Sequence, residues 1–151
     1  MYQKPDDTYE KTDNTYQKPD KRNLFLNIWR SMCVSNRGLA YIFKESGTVH
    51  QLMPTEIIVA LILGIIVGFV PLEYIILIVI QVMILTTETL NSAIEEVCDL
   101  ITLEENKHIG RAKDMGSGAV WIWHLMFIIC TFGFFGMHLA NFAWWQHIIP
   151  G

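Results

Sequence analysis

Four polar side chains with the potential for acid–base and metal chemistry recur at helical spacing: Glu88, Asn91, Glu95 and Asp99. At 100° per residue their directions fall within roughly 80° of one another, so a helix would carry them as one polar stripe. Neighbouring positions on the other sides of the helix include the apolar residues 90, 93, 94, 97 and 100. We therefore predict a helix that is apolar on most sides and acidic on one.

Two interpretations of this stripe remain open from spacing alone. Carboxylates are the oxygen ligands that Mg²⁺ prefers, and one or two of them with substrate phosphates make a typical nucleotide site. A carboxylate can also take a proton from an attacking hydroxyl. Alternatively, the stripe is the solvated acidic face of a helix that emerges from a membrane.

Charged residues follow the stripe closely, first Glu104 and Glu105 and then a basic group of Lys107, His108, Arg111 and Lys113 beside Asp114. Lys and Arg side chains offset phosphate charge in phosphotransfer sites. The tendency of basic residues to stay on the cytoplasmic side of a membrane would explain them equally well. The chain has no GxxxxGK[ST] motif and no HRD or DFG, so phosphotransfer here would need an unrelated fold.

The composition indicates a membrane protein. The chain has 151 residues, enough for one domain, and is 52% hydrophobic but only 17% charged. Within residues 57–85 only Glu73 is charged. One helix of that length would measure ~43 Å, longer than a hydrocarbon core of ~30 Å. We therefore predict two spans, at about 52–70 and 74–103, that turn near residues 69–74, and a third span at about 117–145.

An amphipathic basic helix on the membrane surface, at about 24–46, is predicted to precede these spans. Residues 1–20 repeat with a period of seven (YQKPDDT, YEKTDNT, YQKPD) and are predicted to be a disordered acidic tail, which leaves 21–151 as the membrane domain. Basic clusters at 18–44 and 107–113 can both be cytoplasmic only if an even number of spans separates them, which supports two spans there and predicts a cytoplasmic N-terminus.

Several smaller expectations follow from residue types. The net charge of −4 gives no reason to expect a nucleic-acid partner. For His124 and His138 in the last span, hydrogen bonds between helices are favoured over a proton relay. Gly116 and Gly118 are expected to permit close packing of helices.

The segment TETLNSAIEEVCDLI, followed by GRAKDMGSGAV, closely resembles the signature of the bacterial integral-membrane diacylglycerol kinases. The close match covers residues 87–119, and a surface helix followed by three spans is similar to that family's architecture. The resemblance implies a homotrimer in the bacterial cytoplasmic membrane. It also implies transfer of the γ-phosphoryl group of Mg-ATP to diacylglycerol, which gives phosphatidic acid, with Mg²⁺ as the metal.

Residue roles follow from the same resemblance. Glu88 would be the general base beside the lipid hydroxyl, with Asn91 supporting it, and Glu95 would hold the metal. Around these, the resemblance assigns nucleotide contacts to Glu95, Glu104, Lys113 and Asp114, a lipid contact to Ser117, and supporting roles to Asp99 and Arg111. Sites of this family are shared between subunits, so one chain alone would be inactive.

The resemblance weakens toward the N-terminus. The family carries a metal-binding glutamate eight residues after a glycine; here Gly38 is followed at that offset by Ser46, and Glu45 stands one residue earlier. We assign the second metal and nucleotide ligand to Glu45. Asn27 occupies the family's early arginine position, which leaves Arg30 as the substrate-binding residue. Two alternatives remain: an undecaprenol kinase of the same fold, and a catalytically inactive membrane assembly protein.

Overall fold

The computed structural model describes residues 24–102 and 104–148, with side chains through residue 142. The predicted tail at 1–20 lies outside the described residues, as does Leu103 between the second and third spans. The described residues divide into two compact units between Tyr41 and Ile42.

Every regular element in these ranges is helical, and no strand occurs among the described residues. The elements are α1 (Leu24–Glu45), a short π-helix (Thr48–Leu52), α2 (Met53–Val67), α3 (Pro71–Ile101) and α4 (Lys107–Ile148). By length and composition, three segments are long and apolar enough to cross a membrane: Thr48–Val67, Pro71–Ile101 and Lys107–Phe142. The predicted all-helical class and the three apolar helices are confirmed; the amphipathic surface role of α1 stays a prediction.

Gly68 and Pro71 determine where the chain breaks between the first two apolar helices. Gly68 ends α2 in the left-handed region, at φ 78°, and its N–H donates to the Gly64 carbonyl at 2.8 Å. Pro71 opens α3, where its missing N–H leaves no hydrogen bond unmade. The Glu73 carboxylate accepts the Val70 N–H at 2.8 Å. The turn is therefore tighter than the predicted 69–74, because Glu73 already belongs to the first turn of α3.

Helix α4 begins ten residues before the predicted start of the third span. The Asn106 side chain accepts the backbone N–H of His108 at 2.9 Å, which satisfies a donor of the first turn. The basic segment 107–113, which was predicted to precede the third span, therefore forms the first turns of α4. This places Lys113 and Gly116 on the same rigid helix as the apolar residues that follow.

The core of Ile42–Gly151 is small and lies between α2, α3 and α4. Its buried apolar members are Ala60, Phe69, Leu77, Ile80, Ile84 and Phe127. Large apolar side chains are exposed on all three long helices, including Ile65 at 78% and Ile78 at 62%. An exposed apolar surface this extensive is what lipid or neighbouring subunits cover in a membrane protein.

Three polar contacts, made by two glutamates, tie the long helices together inside this apolar surface. The Glu56 carboxylate of α2 bonds Gln81 of α3 at 3.0 Å and His124 of α4 at 2.8 Å. At the other end of the bundle, His138 of α4 bonds Glu73 of α3 at 3.0 Å. The prediction that His124 and His138 make hydrogen bonds between helices is confirmed.

Candidate active site

The polar stripe lies on a single helix, as its spacing predicted. Within α3, Glu88 and Asn91 are buried, at 8% and 7% exposure, whereas Glu95 is half-buried and Asp99 is exposed. The stripe therefore passes from the interior of the bundle to its surface over three turns. A carboxylate at the buried end needs polar partners, because an unpaired charge there would be strongly destabilising.

The partner of Glu88 comes from far away in sequence. Ser46, in the break between α1 and the π-helix, donates its hydroxyl to Glu88 Oε1 with an Oγ–Oε1 distance of 2.6 Å, and both residues are buried. The same hydroxyl accepts the backbone N–H of Val49 at 3.3 Å. The segment before the first span is thereby bound to the buried end of the stripe.

Asn91 connects the middle of the stripe to α4. Its amide nitrogen donates to Glu95 Oε1 at 2.8 Å. Its amide oxygen is buried, has no hydrogen-bond partner among the described residues, and lies against Gly116. A Cβ at Gly116 would overlap that oxygen, whereas one at Gly118 would have no described atom within 4 Å. The expected close packing is therefore confirmed for Gly116, and within the described residues it does not extend to Gly118.

The outer end of the stripe carries a positive charge. Lys113 of α4 forms an ion pair with Asp99 of α3, with an Nζ–Oδ1 distance of 2.6 Å. Both side chains are substantially exposed, so water and salt screen the pair and it adds little to stability. Its importance is geometric, because Lys113 and Gly116 together show that the first turns of α4 run antiparallel along the stripe.

Arg111 and Asp114 lie on another side of α4. With His108 and Met115 they line an open hollow of about 450 Å³, and Arg111 contacts the His108 ring at 2.9 Å. At 100° per residue this side of α4 points away from Lys113 and Gly116. Within one chain, therefore, the hollow and the stripe are separate features.

Glu104 and Ser117, also predicted as site residues, are both exposed. Glu104 lies in the connection before α4, where its N–H donates to the Thr102 hydroxyl at 3.0 Å. Among the described residues, no hydrogen bond or ion pair joins Glu104 or Ser117 to the stripe. Their predicted contacts with nucleotide and lipid remain predictions.

The two N-terminal site residues are placed differently from the stripe. The Glu45 side chain is about half exposed and pairs with the neighbouring Lys44 at 3.4 Å, while the next residue, Ser46, makes the contact with Glu88. Arg30 lies on the part of α1 that belongs to the first compact unit. Their roles in metal and substrate binding stay predictions.

The described residues contain no group of three or more His, Cys, Asp or Glu side chains arranged to hold a metal ion. Mg²⁺ does not need one, because in nucleotide sites one or two carboxylates suffice and phosphates and waters complete the shell. The Glu95 carboxylate, half-buried and oriented by Asn91, fits that requirement.

Sequence reasoning missed the role of Ser46. The offset of eight residues from Gly38 pointed to position 46, but the expectation of an ionisable ligand moved the prediction to Glu45. It also missed Glu56 and Gln81, although a glutamate and a glutamine within apolar helices are signals of buried polar contacts.

The fold and the site together define an all-helical membrane protein that carries an acidic, partly buried site at one end of its helix bundle. Residues 33–135 match the family model described as prokaryotic diacylglycerol kinase. A diacylglycerol kinase of Haemophilus influenzae is 36% identical over 89 residues, which cover 58% of this chain and 74% of that protein. The chain therefore belongs to the prokaryotic diacylglycerol kinase family.

Family membership indicates a lipid kinase of the diacylglycerol kinase type, and with the three apolar helices it supports a bacterial membrane protein. The matched range includes every predicted site residue except Arg30.

Proposed function

We propose that this protein transfers the γ-phosphoryl group of Mg-ATP to the hydroxyl of diacylglycerol, giving phosphatidic acid. The observation that carries the proposal is the position of Glu88, a buried carboxylate that already accepts a hydrogen bond from an alcohol, Ser46. A buried carboxylate within an apolar helix bundle is suited to take a proton from a lipid alcohol.

The two substrates would approach the stripe from opposite ends, the lipid at the buried end and the nucleotide at the exposed end. The diacylglycerol hydroxyl approaches Glu88 from the membrane, and its oxygen attacks the γ-phosphorus. The proton passes to the Glu88 carboxylate, the bond from the γ-phosphorus to the bridging oxygen breaks, and ADP leaves. The nucleotide approaches from the exposed end, where Glu95, Asp99 and Lys113 lie. Lipid and nucleotide thus meet along one helix face.

Glu95 is the residue that would hold Mg²⁺, which when bound neutralises charge on the phosphate oxygens. Asn91 orients Glu95, because its amide nitrogen bonds Oε1. Lys113 would offset phosphate charge near Asp99. Asp114 as a nucleotide contact and Arg111 in support lie on the opposite side of α4, so they would serve the nucleotide of a neighbouring subunit.

A shared site in a homotrimer agrees with the position of Glu45. Its side chain is exposed and, among the described residues, pairs with Lys44. If Glu45 supplies a second metal ligand, we propose that it completes the site of a neighbouring subunit, because no described hydrogen bond or ion pair joins it to the stripe of its own chain. The proposed location is the cytoplasmic membrane with the N-terminus inside, since the basic residues of α1 and of early α4 then face the cytoplasm.

The test is transfer of labelled γ-phosphate by purified protein in mixed micelles, with diacylglycerol and undecaprenol as parallel acceptors and Glu88→Gln as the control for the site. We expect labelled phosphatidic acid with wild-type protein and a strong reduction with the variant. Preferential labelling of undecaprenol would replace the proposed substrate, and labelling of neither lipid would contradict kinase activity altogether.

A further inference from the structure

We infer that Ser46 is a positioning residue for Glu88, which holds one oxygen of that carboxylate so that the other meets the lipid hydroxyl. This inference rests on the proposed function. Ser46 donates to Oε1 at 2.6 Å, within the short range typical of hydroxyl donors to ionised acceptors. Oε2 is then the oxygen that takes the proton of the lipid hydroxyl.

The serine hydroxyl is itself held on both sides. It donates to Glu88 and accepts from the Val49 N–H at 3.3 Å, so its rotation is restricted at both its donor and its acceptor. The Ser46 N–H donates to the Ile42 carbonyl at 3.0 Å, and the Ser46 carbonyl accepts from His50 at 3.3 Å. A side chain anchored by its own backbone can orient a longer one.

Glu88 needs such an anchor because its side chain has three rotatable bonds. Asn91, one turn further along α3, directs its amide to Glu95 and not to Glu88. The orienting contact therefore comes across 42 positions of sequence, from the segment that precedes the first span. A general base must lie within hydrogen-bond reach of its proton and in the correct direction, and small misplacements reduce turnover strongly.

The experiment compares Ser46→Ala, which removes the hydroxyl, with Ser46→Thr, which keeps it. We expect Ser46→Ala to lower kcat for diacylglycerol by about 10- to 100-fold, the loss of one hydrogen bond to a charged group. KM for Mg-ATP should stay unchanged, because the nucleotide binds at the other end of the stripe. Ser46→Thr should restore most of kcat.

Thr55→Val is the matched control, since it also deletes a hydroxyl. The Thr55 hydroxyl is exposed and donates to a backbone carbonyl four residues earlier, that of Gln51 in the preceding π-helix, at 2.6 Å. This variant should retain wild-type kinetics. If Ser46→Ala fails to fold, Ser46→Cys provides the second variant, because a thiol is a weaker donor of similar size; we then expect an intermediate kcat.

Three outcomes would overturn the inference. The first is a wild-type kcat in Ser46→Ala, or in Ser46→Cys where that variant replaces it, and the second is a defect confined to KM for Mg-ATP. The third is phosphate found on Ser46 by mass spectrometry, which would make the serine a phosphate acceptor. Failure of the proposed function is distinguishable, because wild-type protein would then phosphorylate no diacylglycerol. In that case thermal unfolding of Ser46→Ala, Glu88→Met and the double variant still tests the contact. Additive effects would contradict it, and non-additive effects would support it.

Discussion

Glu88 and Glu95 lie two turns apart on α3, yet their surroundings differ. Glu88 is buried and bonded to an alcohol, whereas Glu95 is half-buried and bonded to an amide. This difference suits two separate roles, a base for the lipid hydroxyl and a ligand for the metal.

The two roles predict different kinetic defects. Glu88→Gln removes the base and should lower kcat by about 10²- to 10⁴-fold while leaving nucleotide binding largely intact. Glu95→Gln removes a metal ligand and should weaken Mg-ATP binding itself. Lipid phosphorylation and equilibrium binding of nucleotide, measured on both variants, separate these effects. Equal and mild defects in both would refute the assignment.

Gly116 is a second residue with a specific requirement, because Asn91 occupies the space beside it. Gly116→Ala should displace the Asn91 amide or α4, lowering stability by about 1–3 kcal/mol together with activity. Gly118→Ala is the matched control two residues away, where the described structure leaves open space. Thermal unfolding and kinase assays on both variants check this; a harmless Gly116→Ala would contradict the close approach of α4.

At the scale of elements, Glu56 is the point where α2, α3 and α4 are joined by hydrogen bonds. His124 is 2% exposed and Glu56 is 9% exposed, so neither can turn to solvent when its partner is lost. Interhelical hydrogen bonds in membranes average only ~0.6 kcal/mol, but a partner left buried and unpaired is more destabilising than that.

His124→Leu should therefore lower the free energy of unfolding in detergent by about 1–3 kcal/mol, the penalty of an unsatisfied buried group. Adding Glu56→Leu should recover only part of that loss, because the buried pair is then gone but Gln81 loses its bond to Glu56. Thr131→Val serves as the control on the same helix, since the buried Thr131 hydroxyl has no partner among the described residues; it should be neutral or stabilising. A double variant as unstable as the sum of its parts would argue against a direct pair.

At the scale of the whole molecule, the small core and the extensive exposed apolar surface indicate that lipid or neighbouring subunits complete the protein. Glu88, Asn91 and Glu95 form a continuous stripe on one helix, and therefore belong to one subunit. Under the proposed function, Glu45 would complete the site of a neighbouring subunit.

Mixed oligomers test this arrangement. Glu45→Gln and Glu88→Gln subunits should each be weakly active alone, and their mixture should recover activity if each site takes Glu45 and Glu88 from different subunits. Random association would leave about a quarter of such sites intact. The assay is lipid phosphorylation after co-reconstitution, with Glu88→Gln and Glu95→Gln as the control mixture, where a single-subunit stripe predicts no recovery. Activity that stays at the level of the separate variants would contradict a site shared through Glu45.

The sequence by itself determined the helical class, the three apolar helices and the stripe, because helical periodicity and apolar length are local properties of the chain. It also placed His124 and His138 in contacts between helices, because polar side chains in apolar helices need partners. Only the tertiary structure decided which residues meet across helices: Ser46 with Glu88, Gly116 with Asn91, and Glu56 with His124. The members of those pairs are separated by 25 to 68 positions in sequence. A shift of one residue also turns a helical side chain by 100°, so neighbours such as Glu45 and Ser46 contact different parts of the structure.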